Sequence, residues 1–179
     1  MKNIIYFIEI WFEDPLKTFV RELSSEKGEN LYPHNTFTRP FVRKNDINED
    51  ELKEKIISIL KENKDKLSLT IEGIDNFEDE EGKPVWYLPV YEKGACLSDL
   101  DKRIEDGLEK YVVFKKKLND TKIFHIHIPG KPVSVVDYEP IHCCSDELVV
   151  LRDKKIWFSF EFSTGRVYSR AEVLKRRKG

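Results

Sequence analysis

Glutamine is absent from this chain, methionine occurs once, and cysteine occurs only as Cys96, Cys143 and Cys144. An odd number of thiols, two of them adjacent, makes no framework of disulfide bridges, and a reducing cytoplasm is the simplest setting for them. Also missing is any run near the roughly 18 apolar residues that span a bilayer. The apolar start Ile4 to Phe12 is interrupted by Glu9 and lacks the small-residue cleavage site of a secretory signal, so neither an anchor nor export is expected. Charge of one sign is lacking too. A formal net charge of -2 and a pI near 6.1 exclude the basic footprint of a protein that grips long duplex nucleic acid, while an RNA end or a small phosphate-bearing ligand stays compatible. With 36% charged residues and no glutamine, the composition leans as heat-adapted proteins do, although an AT-rich genome produces the same bias.

What is present suits one well-filled unit. A chain of 179 residues that is 40% hydrophobic and 12% aromatic has enough apolar material for a single domain of two lobes, residues 1–179, and too little for two independent ones. Ile4 to Phe12 reads as a central strand buried on both faces. Asp14 caps and Pro15 opens a helix with Leu16, Phe19, Val20 and Leu23 at helical spacing. After a polar loop from Ser24 to Leu31, Tyr32 to Thr38 forms a short strand. Asn48-Glu49-Asp50-Glu51 starts a helix expected to bury Leu52, Ile56, Ile57 and Leu60. Leu67 to Ile74 and Val85 to Val90 read as strands separated by the turn Asp79 to Lys83. A helix from Ser98 or Asp99 to about Lys117 buries Leu100, Ile104, Leu108 and Tyr111, and a second short strand begins at Lys122. The chain closes in strands Glu147 to Leu151, Lys155 to Phe162 and Arg166 to Val173, then the basic tail Lys175 to Lys178, read as a solvated terminus.

Two of these strands carry the chemistry. In Tyr32-Pro33-His34-Asn35-Thr36-Phe37-Thr38, residues i and i+2 point to one side, so His34 and Thr36 share a face. By the same rule His125 and His127 share a face of Ile123-Phe124-His125-Ile126-His127-Ile128. Each strand ends a strand, helix, strand plan: Ile4 to Phe12 with the Pro15 helix and the His34 strand corresponds to Val85 to Val90 with the Asp99 helix and the His125 strand. The repetition is architectural and predicts two pseudo-symmetric halves with a site shared between them.

On these residues and this order of elements the chain resembles the 2H phosphoesterase superfamily, the group of RNA 2′,3′-cyclic phosphodiesterases and 2′-5′ RNA ligases, which carry a His-x-Thr/Ser motif on a strand of each lobe. Pro33-His34-Asn35-Thr36-Phe37 matches the first motif, and the run from Glu147 to Arg152, with Tyr168 and Leu174, is similar to the closing strands of that family. The second motif departs from the pattern. If His125 takes the histidine position, His127 replaces the threonine; if His127 takes it, Pro129 does. Strand alternation favours His125, while Phe124 upstream is a familiar approach to the motif in the other register. The resemblance implies an α+β, two-lobed fold with antiparallel sheets lining a central cleft and helices outside. It also implies a phosphoesterase acting on a 2′,3′-cyclic phosphate or 2′-5′ phosphodiester of an RNA end or small nucleotide, with no cofactor and no metal.

The residue types explain why such a site takes this form. Opening a cyclic phosphate needs a base for the attacking water and an acid for the departing ribose oxygen. Histidine, with an unperturbed pKa of ~6.5, can serve as either near neutrality. His34 with His125 or His127 are the candidate catalytic residues, Thr36 a donor to the phosphate, and Arg39 and Lys131 sources of positive charge at the rim. Tyr32, Phe37, Tyr87 and Phe124 are aromatic residues near these strands, read chiefly as core and otherwise as stacking surfaces for a base. Other readings stand beside this one. His125 and His127 also suit the polar face of an exposed strand. His-x-His with His142-Cys143-Cys144 also suits a soft metal site. The cleft also suits a non-catalytic RNA or nucleotide-binding module, or a phosphodiesterase of cyclic dinucleotides.

Overall fold

A computed structural model of the chain describes residues 4–26, 32–63, 65–79, 81–115, 123–133 and 138–177. Among them the first strand, β1 (Ile5–Trp11), buries Tyr6, Ile8 and Ile10 on one face. Helix α1 (Leu16–Leu23) buries Leu16, Val20 and Leu23, and the Asp14 carboxylate accepts from both the backbone N–H and the hydroxyl of Thr18. The first histidine strand is short, β2 (His34–Thr36), and runs antiparallel to β1 in the register Trp11 to His34 and Glu9 to Thr36. After a break at Phe37 to Pro40 the chain rejoins β1 as β3 (Phe41–Arg43), which the hydrophobic pattern is too short to reveal.

Helix α2 (Glu49–Lys61) starts where Asn48 predicts, its side chain accepting from the Glu51 N–H at 2.7 Å, but it buries Ile59 where Ile57 was expected. Strand β4 (Leu67–Ile71) is followed by β5 (Asp75–Glu78) and β6 (Pro84–Glu92). The Asp79 to Lys83 turn therefore joins β5 to β6, while β4 pairs with the far end of β6. Helix α3 (Cys96–Leu108) is shorter than its pattern predicts. It ends before Tyr111, and Val112 leaves it for the small strand β7 (Val112–Phe114), because three residues already paired with β3 cannot continue a helix. The expected helix end at Lys117 and strand start at Lys122 lie outside the described residues.

The second histidine strand, β8 (His125–Ile128), pairs antiparallel with β6, and β9 (Ile141–Ser145) pairs with β4. Then come β10 (Glu147–Arg152), β11 (Lys155–Glu161) and β12 (Arg166–Ser169). What reads as a single last strand from Arg166 divides at Ser169, whose hydroxyl and backbone N–H exchange hydrogen bonds with Glu172 in a capping box that opens α4 (Arg170–Arg176).

The result is an α+β molecule of two antiparallel sheets. One runs β12-β11-β10-β1-β3-β7 with β2 beside β1, and the other runs β5-β6-β4-β9 with β8 beside β6. The two lobes follow the anticipated plan, since β1, α1 and β2 are matched by β6, α3 and β8. One cluster of buried apolar side chains spans both lobes, from Tyr6, Ile8 and Ile10 to Leu69, Leu88 and Ile126. No helix among the described residues is long and apolar enough to cross a membrane.

Candidate active site

The two histidine strands meet where the sheets face each other. Alternation along β2 turns His34 and Thr36 outward and Asn35 inward, where it is 1% exposed and its amide donates to the main-chain carbonyl of His125 at 2.9 Å. This bond ties β2 to β8. Along β8 the alternation buries Ile126 and Ile128 completely and turns His125 and His127 to the same outward side.

Both strands present their first histidine in the same way. The Nδ1–H of His34 donates to the carbonyl of Tyr32 at 3.0 Å, and the Nδ1–H of His125 donates to the carbonyl of Ile123 at 2.9 Å, in each case two residues upstream. A carbonyl can only accept, so Nδ1 carries the hydrogen in both rings and Nε2 is left to take or give a proton. His125 is thus the geometric counterpart of His34, and His127 the counterpart of Thr36. Pro129 has a different part, its carbonyl accepting from the Ser24 hydroxyl at 2.7 Å.

His127 feels the whole cleft. Desolvation by the surrounding protein, then the imidazoles of His125 and His34, lower its pKa below the ordinary histidine value, against a smaller opposing pull from Glu26. His125 and His127 share the outward face of β8, and the Asn35 bond to the His125 carbonyl sets β2, with His34, beside that strand. His125 is packed edge-on by Tyr87 at 5.2 Å and Phe77 at 5.7 Å, and the Tyr87 hydroxyl donates to Asp75.

Glu9 is the site residue that sequence reasoning missed. It reads as an interruption of an apolar strand, yet it is 5% exposed and lies opposite Thr36, with one carboxylate oxygen accepting from the Trp11 indole at 2.7 Å and the other 3.9 Å from His34 Nε2. Burial raises its pKa, while His34 and Trp11 act to lower it. The available signal was the spacing: an acid two residues before a tryptophan on a strand otherwise apolar.

The other predicted residues are placed less centrally. Arg39 donates its Nε and Nη2 hydrogens to the two carboxylate oxygens of Glu105 of α3, at 2.7 and 2.8 Å, and lies over Phe114 at 5.0 Å. It therefore braces the β2–β3 connection against α3, and no contact among the described residues joins it to His34, Thr36, His125 or His127. Lys131 is exposed on the loop after β8, which is held to the end of α1 by Ser24 and by the Val133 N–H on the Leu23 carbonyl. Phe37 is fully buried and stacks on Phe124 at 6.1 Å, so it belongs to the core. Tyr32 packs tilted against Trp11, ring centroids 5.1 Å apart, with the Lys17 ammonium over its ring. His142 bonds Thr70 across β4 and β9, and burial pushes the Cys143 thiol up to about 11. Both line a separate groove of about 570 Å³ that reaches Trp11, Arg176 and Arg177. Among the described residues no three His, Cys, Asp or Glu side chains are grouped to hold a metal ion.

No family model matches the chain, and no curated protein matches it in sequence. Among solved structures, the crystal structure of TT0787 of Thermus thermophilus matches with a TM-score of 0.57 over 89% of this chain and 98% of that one, at 11% identity. At that identity the match shows a shared fold, carried over nearly the full length of both chains.

Proposed function

We propose that this protein is a 2H phosphoesterase that opens 2′,3′-cyclic phosphates or 2′-5′ phosphodiesters of RNA ends or small nucleotides in the cytoplasm, using two histidines and no metal. The observation that carries the reading is the matched pair of Nδ1 hydrogen bonds on His34 and His125, which leaves two Nε2 atoms of the same tautomer on facing strands. In hydrolysis one Nε2 takes a proton from the attacking water as the new P–O bond forms. The other gives a proton to the ribose oxygen as its bond to phosphorus breaks. Each positioned transfer contributes ~100- to 10,000-fold. Thr36 and His127, two residues after each catalytic ring, stand where they can donate to the non-bridging oxygens. Lys131 supplies positive charge at the mouth.

The test is hydrolysis of a 2′,3′-cyclic nucleotide and of a cyclic-phosphate RNA oligomer in the presence of EDTA, comparing wild type with His34→Ala and His125→Ala. Turnover lost in both variants supports the two-histidine reaction. Binding of either compound without turnover in the wild type identifies a nucleotide-binding module instead.

A further inference from the structure

The strands that back the two histidine strands differ in what they place behind them. On β1, Glu9 lies opposite Thr36 and Trp11 opposite His34, whereas the equivalent places on β6, opposite His127 and His125, hold Tyr87 and Pro89. A carboxylate at 5% exposure is costly unless its charge has partners. Glu9 has two: the Trp11 indole at 2.7 Å and His34 Nε2 at 3.9 Å. The indole is itself clamped, with the Arg177 guanidinium stacked 4.7 Å from its ring, so the donor that aims Glu9 is fixed from the far end of the chain. On the His125 side, Tyr87 packs against the imidazole and gives its hydroxyl hydrogen to Asp75.

The geometry points to Glu9 as a positioning residue that keeps a proton on His34 Nε2, making His34 the acid and His125 the base of the reaction proposed above, on which this inference rests. Nδ1 of His34 already carries a hydrogen for the Tyr32 carbonyl, so a second proton goes to the nitrogen that faces Glu9. A separation of 3.9 Å is an ionic contact and not a hydrogen bond, which leaves that N–H unspent for a departing oxygen. Among the described residues, the charged and titratable groups about His34 are Glu9 from β1, His127 from β8, and Tyr32, whose ring carries Lys17 of α1 and, at 5.6 Å, Arg177 beyond α4. The negative charge at Nε2 comes from Glu9. The cycle balances: the water proton passes to His125 Nε2, the ribose oxygen leaves with the proton of His34 Nε2, and solvent exchange returns a proton from His125 to His34 while Glu9 stays a carboxylate.

Glu9→Gln in the full chain keeps the shape and the acceptor for Trp11 while removing the charge. In 15N spectra of the histidine rings at pH 7 without substrate, the His34 signals are expected to move toward the neutral Nδ1–H form, with those of His125 unchanged. On a 2′,3′-cyclic nucleotide, the high-pH limb of the kcat/KM profile is expected to move down by about one pH unit with the low-pH limb fixed. A loss of rate equal at every pH, or an unmoved His34 signal, overturns the assignment. In the wild type, where folding is not in question, the 13C carboxyl signal of Glu9 should inflect as His34 gives up its proton; its failure to do so overturns the pairing as well. A chain that shows the NMR response but turns nothing over retires the phosphoesterase reading and leaves the Glu9 pairing. Turnover without the response does the reverse.

Discussion

The side-chain amide of Asn35 reaches across the cleft to the main-chain carbonyl of His125, 2.9 Å away. The same alternation that turns His34 and Thr36 out turns this amide in, so one residue ties the two histidine strands together. Asn35→Ala leaves the carbonyl without its buried donor, a loss of ~1 to 3 kcal/mol. A lower urea midpoint is expected, together with a fall in kcat/KM on a cyclic nucleotide that exceeds what the unfolded fraction explains. Wild-type stability in this variant would show that the strands are held by their packing alone.

The equivalence of His125 with His34, and of His127 with Thr36, separates two substitutions that the sequence treats alike. His125→Ala is expected to lose ~100- to 10,000-fold in kcat as a proton carrier disappears. His127→Thr places a hydroxyl where the other strand has one, and is expected to stay within about tenfold of wild type, since a hydrogen-bond donor to the phosphate is kept. The reverse ranking, measured in the presence of EDTA, would move the second catalytic histidine to His127.

Legibility in the sequence followed the range of the interactions. The strands with long apolar runs and the helices with capping side chains, such as Asn48 before α2, are readable because their causes lie within a few residues. Strands β3, β7 and β9 are three to five residues long and exist through pairing with distant partners, so no local pattern announces them, and β5 is a four-residue, largely polar arm of a hairpin with β6. The site divides in the same way. His34, Thr36, His125 and His127 follow from strand alternation, but Glu9 becomes a site residue only through its register with Thr36, and Arg39 is drawn away by Glu105 on a helix the sequence places far along the chain.

Arg177 belongs to a tail that reads as solvated, yet its side chain is 11% exposed. It pairs with Glu13 at 2.5 Å and Glu147 at 3.3 Å while lying on the rings of Trp11 and Tyr32. Packing a guanidinium between aromatic faces and two acids joins the end of the chain to the first lobe. Arg177→Ala is expected to cost ~1 to 2 kcal/mol, because it removes a cation–π contact and leaves Glu147 short of one cationic partner. Thermal melting at matched salt measures it, and an unchanged midpoint would return the residue to the solvated tail.

His127 supplies the pH dependence. Its folded pKa is lowered from the ordinary histidine value because partial desolvation by the surrounding protein and two neighbouring imidazoles oppose the charge on this otherwise exposed ring. As pH falls, the unfolded chain therefore takes up a proton before the folded one does, so its contribution to stability is complete above ~6.5 and lost as pH drops from there through the folded value. The wild type should lose stability relative to His127→Thr between about pH 7 and 5. An anion bound in the cleft inverts the preference by favouring the charged ring. Sulfate, dianionic throughout this range, should bind the wild type with proton uptake, and its affinity should rise more between pH 7.5 and 5.5 than in His127→Thr. Titration calorimetry in two buffers of different ionisation enthalpy reads the uptake directly; equal gains in the two proteins would mean that His127 does not face the bound anion.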